Sequence, residues 1–138
     1  MDRNNVQNFQ PARVLLVDDD PRLLAALSMR LSEMGCRCTR CSNASEAMVQ
    51  FASGSFDLVV TDMTMPVIDG LSIVGTIRSQ SEIPILIVTG HSAEYGPLIG
   101  GYRNVTLVRK PFDPQALMAL VRSFLREKID PNIRLKCG

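Results

Sequence analysis

The sequence predicts an α/β fold in which a parallel sheet is covered by helices on both faces. Three observations predict it. Five short apolar runs alternate with amphipathic stretches along 138 residues, a length that fits one domain. The first run, Val14 to Val17, is continuous and β-branched at both ends, as a strand buried on both faces reads. Helix start and stop signals fall between them.

Val14 to Val17 is the first run. Asp20-Pro21 then opens a helix, because aspartate caps free amides and proline is tolerated in the first turn. Leu24, Leu27, Leu31 and Met34 follow at helical spacing, and Gly35 supplies the stop. Residues 36–41 form a less apolar strand, expected near an edge. Asn43 and Glu46 resemble a capping pair for a helix with Ala44, Ala47, Met48 and Phe51 inward, ended by Gly54. Leu58 to Val60 runs directly into Thr61-Asp62. A loop is expected from Met63 to Gly70, then a helix carrying Leu71, Val74 and Ile77. Pro84 leads into Ile85 to Val88, the fourth strand. Between His91 and Asn104, Gly96, Pro97, Gly100 and Gly101 break helices, so the fourth helix should be short or irregular. Val105 to Val108 is the fifth strand. Asp113-Pro114 caps the last helix, whose inner face is Leu117, Leu120, Val121 and Phe124. Residues 1–11 read as a flexible N-terminus, 12–127 as the domain and 128–138 as a frayed tail.

Composition narrows the function classes. The chain is 46% hydrophobic and 21% charged, so it can bury a core. Fifteen basic against fourteen acidic residues give a net charge of +1, which does not point to nucleic acid. No apolar run has the length of a membrane span, and the polar first ten residues lack a signal-peptide core. A soluble, cytoplasmic protein with no membrane partner is expected. Cys36, Cys38 and Cys41 form a C-x-C-x-x-C cluster, a pattern that can bind a soft metal. No histidine accompanies it, and Cys36 and Cys38 share one face of a strand, so they read better as small apolar residues.

Polar residues concentrate at the ends of the strands. Asp18 and Asp19 close the first, Asp62 the third and Thr89 the fourth; Lys110 follows the fifth. Ligands of open α/β sheets bind beyond the carboxyl ends of the strands, where strand order reverses. In a flavodoxin-like (βα)5 sheet, doubly wound with order 2-1-3-4-5, that reversal brings Asp18, Asp19 and Asp62 together, with Thr89 and Lys110 alongside. Two like charges ~4 Å apart cost about 4 kcal/mol at an effective dielectric near 20. A hard cation such as Mg2+, which prefers oxygen ligands, accounts for the cluster. One carboxylate can then attack a phosphoryl donor and become an acyl phosphate, with Lys110 and the Thr89 hydroxyl holding its oxygens. Taken singly, each residue has an ordinary explanation as a turn, a cap or a strand end; Asp20 in particular reads as the cap.

These residues resemble the receiver domain of bacterial response regulators. The matching segments are Val14 to Pro21 (VLLVDDDP), Asp57 to Pro66 (DLVVTDMTMP) with Asp69-Gly70, Pro84 to Gly90 (PILIVTG) and Val108 to Phe112 (VRKPF). The likeness spans about residues 12–127. It implies that Asp62 is the phosphorylated aspartate and that Asp18, Asp19, Asp62 and the Thr64 backbone carbonyl hold Mg2+. It further implies that Thr89 and Lys110 bind the phosphoryl group, that Thr64 and His91 tune its hydrolysis, and that Lys110-Pro111 is cis. The implied donors are a histidine kinase, a phosphotransfer protein or a small molecule such as acetyl phosphate. Output through a downstream protein partner, as a monomer or weak homodimer, is expected.

Two departures stand out. The family often has an aromatic residue three places before the lysine, and here that position is Leu107. The glycine-rich fourth helix and the Leu-Val-Arg-Lys-Pro-Phe-Asp run resemble receivers attached to hybrid sensor kinases, so a free-standing regulator and an excised module both remain open. The departures also support an alternative, a phosphorylation-independent module that signals by binding alone. A phosphatase of similar sheet order needs a second acid two residues beyond the nucleophile, where Thr64 stands.

Overall fold

A computed structural model describes residues 10–62, 67–90 and 92–126; the side chains of residues 62, 67–69 and 92 lie outside that description. The elements are β1 (Arg13–Val17), α1 (Pro21–Glu33), β2 (Arg37–Cys41), α2 (Ala44–Ser53), β3 (Leu58–Asp62), α3 (Val67–Gln80), β4 (Ile85–Thr89), α4 (Ser92–Ile99), β5 (Val105–Arg109) and α5 (Pro114–Phe124). All strand pairs are parallel, in the order β2-β1-β3-β4-β5. This is the flavodoxin-like sheet expected from the sequence, with β2 at an edge.

Two cores lie on opposite faces of the sheet. Val14, Leu16, Leu58, Val60, Leu86 and Val88 pack with Leu24, Leu27 and Leu31 of α1 and Leu117, Met118 and Val121 of α5. On the other face, Leu15, Val17, Val59, Ile85 and Ile87 pack with Ala47 of α2, Ile73, Val74 and Ile77 of α3, and Tyr95 and Ile99 of α4. Successive strand residues alternate between these cores, so both faces must be apolar. That is why the central strands β1, β3 and β4 read as hydrophobic runs, while β2 at the edge does not.

The helix ends follow local chemistry. Asp20 caps α1 by accepting from the Arg22 amide, and Asp113 caps α5 by accepting from that of Gln115. Asn43 accepts from the Glu46 amide, while the Glu46 carboxylate reaches back to the Ser42 amide. Gly35 has φ 90°, and its amide donates to Ser32 O as that of Cys36 donates to Leu31 O. This paired closure needs a left-handed residue, which glycine adopts without a Cβ clash.

The third helix begins at Val67, earlier than the expected loop from Met63 to Gly70 allows. Gly70 is buried inside it. A glycine within a helix costs only about 1 kcal/mol, which packing against the sheet outweighs. The fourth helix is short, as expected, at eight residues with Pro97 inside it. Tyr95 is fully buried there and is among the largest such side chains. The expected flexible N-terminus to residue 9, the loop residues 63–66 and the tail from 127 lie outside the described residues.

At the amino ends of the strands, Arg78 ties three segments together. Its guanidinium donates to Ser81 O at 2.6 Å, Ile83 O at 2.8 Å and Asn104 O at 3.3 Å. Asn104, at φ 61°, donates through its side chain to Glu82 O at 2.8 Å. Arg78→Met should lower the unfolding free energy by about 2 kcal/mol, since hydrogen bonds to charged groups contribute more than neutral ones. Urea denaturation measures this, and the opposite end of the sheet should be unaffected.

Candidate functional site

Strand register sets the positions of the site residues. Val17 pairs with Thr61, and Asp62 pairs with Val88, so Asp18 follows β1 just where β3 ends. Thr89 pairs with Arg109, and the Lys110 amide donates to Thr89 O at 2.9 Å. Asp18, Asp19, Asp62, Thr89 and Lys110 therefore all stand at the carboxyl ends of four adjacent strands. The order reverses between β2-β1 and β3-β4-β5, the crevice where such sheets bind ligands.

The acids differ in environment. Asp18 is fully buried; its amide donates to Cys41 O at 3.0 Å, and its Oδ1 accepts from the Asp20 amide at 3.1 Å. Asp19 is exposed at the mouth, and Lys110 is half-buried. Thr89, like Thr61, is fully buried. The Lys110-Pro111 peptide is cis. Thr64 and His91 lie outside the described residues, as does the side chain of Asp62.

The donor chemistry suits a hard divalent cation. A fully buried carboxylate and an exposed one occupy consecutive positions beside the end of β3, and all their donor atoms are oxygens. Burying an anion is expensive without a compensating positive charge. Among the described residues no group of three His, Cys, Asp or Glu side chains could hold a metal ion. Asp18 and Asp19 supply two of the expected carboxylates, and Asp62 is the third position at the same edge.

The cysteine cluster does not form a soft-metal site. Cys36 and Cys38 belong to the core beneath α1 and α5, whereas Cys41 lies in the opposite core. An odd spacing along an extended segment puts Cys36 and Cys41 on opposite faces. Burial pushes the Cys36 thiol up to about 11 from its ordinary 9.0, with smaller contributions from Cys38 and Asp57. Burial, with Glu46 adding to it, likewise pushes Cys41 to about 11. Cys38 is raised by burial against the opposing effects of Ser28 and Arg40. All three are free thiols that serve as small apolar side chains.

Two features were not read from the sequence. The Asp20 amide bond to Asp18 leaves no pattern of its own beyond the Asp-Pro pair that shapes it. Glycine and proline obscure the i, i+4 relation of Tyr95 to Ile99, which share one core.

Comparison with known proteins agrees with this architecture. Residues 14–122 match the family described as the response regulator receiver domain. The chain is 33% identical over 133 residues to the "Probable transcriptional regulator ycf27" of Cyanidium caldarium, covering 96% of this chain and 53% of that protein. It thus spans about half the length of that curated relative, whose description concerns the longer protein. The response regulator TrrA of Thermotoga maritima, crystallised with Mg(2+)-BeF, superposes with a TM-score of 0.72 at 33% identity, covering 83% of this chain and 99% of TrrA. The chemotaxis regulator CheY4 of Vibrio cholerae gives 0.75 at 28% identity, covering 84% and 100%. The chain belongs to the response regulator receiver domain family, whose function is phosphorylation-based signalling in two-component systems. Among the described residues, no helix is long and apolar enough to cross a membrane.

The thiols carry a pH consequence. Their folded values lie above the unfolded value, so unfolded chains ionise first; the stability they contribute is complete below pH 9 and lost as pH rises to about 11. Unfolding free energy measured by denaturant titration should fall more steeply across that window in the wild type than in a Cys36→Ala/Cys41→Ala double variant.

Proposed function

We propose that Asp62 accepts a phosphoryl group in a Mg2+-dependent reaction, and that the phosphorylated domain signals through protein contacts. The observation that carries this reading is the arrival of Asp18, Asp19, Asp62, Thr89 and Lys110 at adjoining strand ends. The relative crystallised with Mg(2+)-BeF supports it by family likeness.

In this reading Asp18, Asp19, Asp62 and the Thr64 carbonyl hold Mg2+. Bound there, the ion offsets the acids' repulsion and the negative charge of the incoming phosphoryl group. An Asp62 carboxylate oxygen attacks phosphorus, the bond to the donor's leaving group breaks, and an acyl phosphate forms. The Lys110 ammonium contacts a phosphoryl oxygen, and the Thr89 hydroxyl donates to another. The backbone bond from Lys110 to Thr89 O keeps the two in step. Water later cleaves the acyl phosphate, with Thr64 and His91 setting the rate.

The donor is a histidine kinase, a phosphotransfer protein or acetyl phosphate. Phosphorylation shifts a two-state equilibrium that a downstream protein reads, with the domain, residues 12–127, acting as a monomer or weak homodimer in the cytoplasm. Apart from its own phosphorylation and dephosphorylation, the domain catalyses nothing.

Incubation with Mg2+ and acetyl phosphate should raise the intact mass by one phosphoryl group. Asp62→Asn or excess EDTA should abolish the gain, and Lys110→Ala should slow it by roughly a hundredfold. An unchanged wild-type mass, under conditions that modify another receiver, would overturn the proposal.

A further inference from the structure

We infer that Asp20, the third acid of the Asp18-Asp19-Asp20 run, is a positioning residue that aims Asp18 at the cation rather than a ligand itself. This rests on the phosphoacceptor reading above. Two successive side-chain turns link the start of α1 to the site. Asp18 Oδ1 accepts from the Asp20 amide at 3.1 Å, and Asp20 Oδ1 accepts from the Arg22 amide at 2.9 Å. Each carboxylate therefore fastens the backbone two residues ahead, and the chain from Asp18 to Arg22 is locked at both steps.

Pro21 gives the arrangement its direction. A residue before proline is driven out of the helical region, and Asp20 sits at φ −96°, ψ 107°. Proline's missing amide costs nothing at this first helical position, because the Asp20 cap accepts from the second, on Arg22. Asp113-Pro114 repeats this cap at φ −82°, ψ 120°, with Asp113 accepting from Gln115 at 3.1 Å. Two residues before Asp113 stands Pro111, which has no carboxylate to receive the amide. Of these two Asp-Pro caps among the described residues, the one at the mouth of β1 is therefore the one that holds an acid.

The side chains of Asp18 and Asp20 have opposite exposures. Asp18 is fully buried, whereas the Asp20 side chain is 44% exposed and 3.8 Å from the solvent-facing Arg22 Nε. An exposed pair at that distance contributes little. What Asp20 supplies is geometry: one backbone N–H that leaves Asp18 Oδ1 occupied and fixes the orientation of the carboxylate. Residues that orient metal ligands typically affect affinity by about 10–100-fold, and a single neutral amide should fall at or below the lower end.

Calorimetric titration of the full chain with Mg2+ alone separates the possibilities. Asp20→Ala removes the cap and should weaken Mg2+ binding roughly threefold to tenfold. Asp20→Asn preserves the cap but not the charge, and should bind within about twofold of the wild type. Asp20→Gly, which helix N-termini tolerate nearly as well, frees the backbone; it should weaken binding while its thermal midpoint stays close to that of wild type. It serves in place of Asp20→Ala should that variant not fold. Equal affinity in folded Asp20→Gly and wild type overturns the inference. So does an Asp20→Asn loss matching that of Asp20→Ala, because charge would then be the cause. Absence of Mg2+ binding by the wild type removes the phosphoacceptor reading itself, and this inference with it.

Discussion

Parallel hydrogen bonding among β1, β3, β4 and β5 aligns their carboxyl ends, and every proposed chemical contact depends on that alignment. Val17 opposite Thr61 and Asp62 opposite Val88 bring the acids of two strands to one edge. The pairing of Thr89 with Arg109 does the same for the hydroxyl and the lysine. A shift of one residue in any pair would carry a site residue to the other face of the sheet, since side chains alternate along a strand. The two apolar cores prevent that shift, because it would also exchange which residues face each core. Burial energy thus fixes the geometry of a polar site that contributes little favourable energy itself.

The same division explains what the sequence disclosed. The central strands were legible because burial on both faces demands apolar runs, and Asp20-Pro21, Asn43-Glu46 and Asp113-Pro114 are local signals with local causes. Strand order was not carried by periodicity, which reports faces and never neighbours; it entered as an assumption that the pairing bears out. Gly70 concealed the first turn of α3, and Gly96 with Pro97 concealed the buried Tyr95, because tertiary packing overrode weak helix propensity. Arg78 carries no signal in the sequence, because its acceptors are backbone carbonyls, which sequence does not display. The site residues were legible as a set at strand ends. Their separate environments, from buried Asp18 to exposed Asp19, emerged only with the fold.

Two departures from the usual family pattern are now in a structural setting. Leu107 is half-buried and packs against the core that contains Tyr95. The fourth helix, though short and carrying Pro97, is formed and anchors that tyrosine. An aromatic side chain is therefore present on this face of the sheet, supplied by α4 rather than β5. The weakness of the helix, a main support for signalling by binding alone, is offset by the burial of Tyr95 and Ile99.

At the centre of the account is a divalent cation shared by the acids at the ends of β1 and β3. Anomalous scattering from crystals soaked in Mn2+, a hard-cation stand-in for Mg2+, tests this directly. The account predicts one strong peak within coordination distance, about 2.0–2.2 Å, of carboxylate oxygens from both strands. A peak elsewhere, or none beside Asp19 and Asp62 while Lys110 turns away from the crevice, would contradict it.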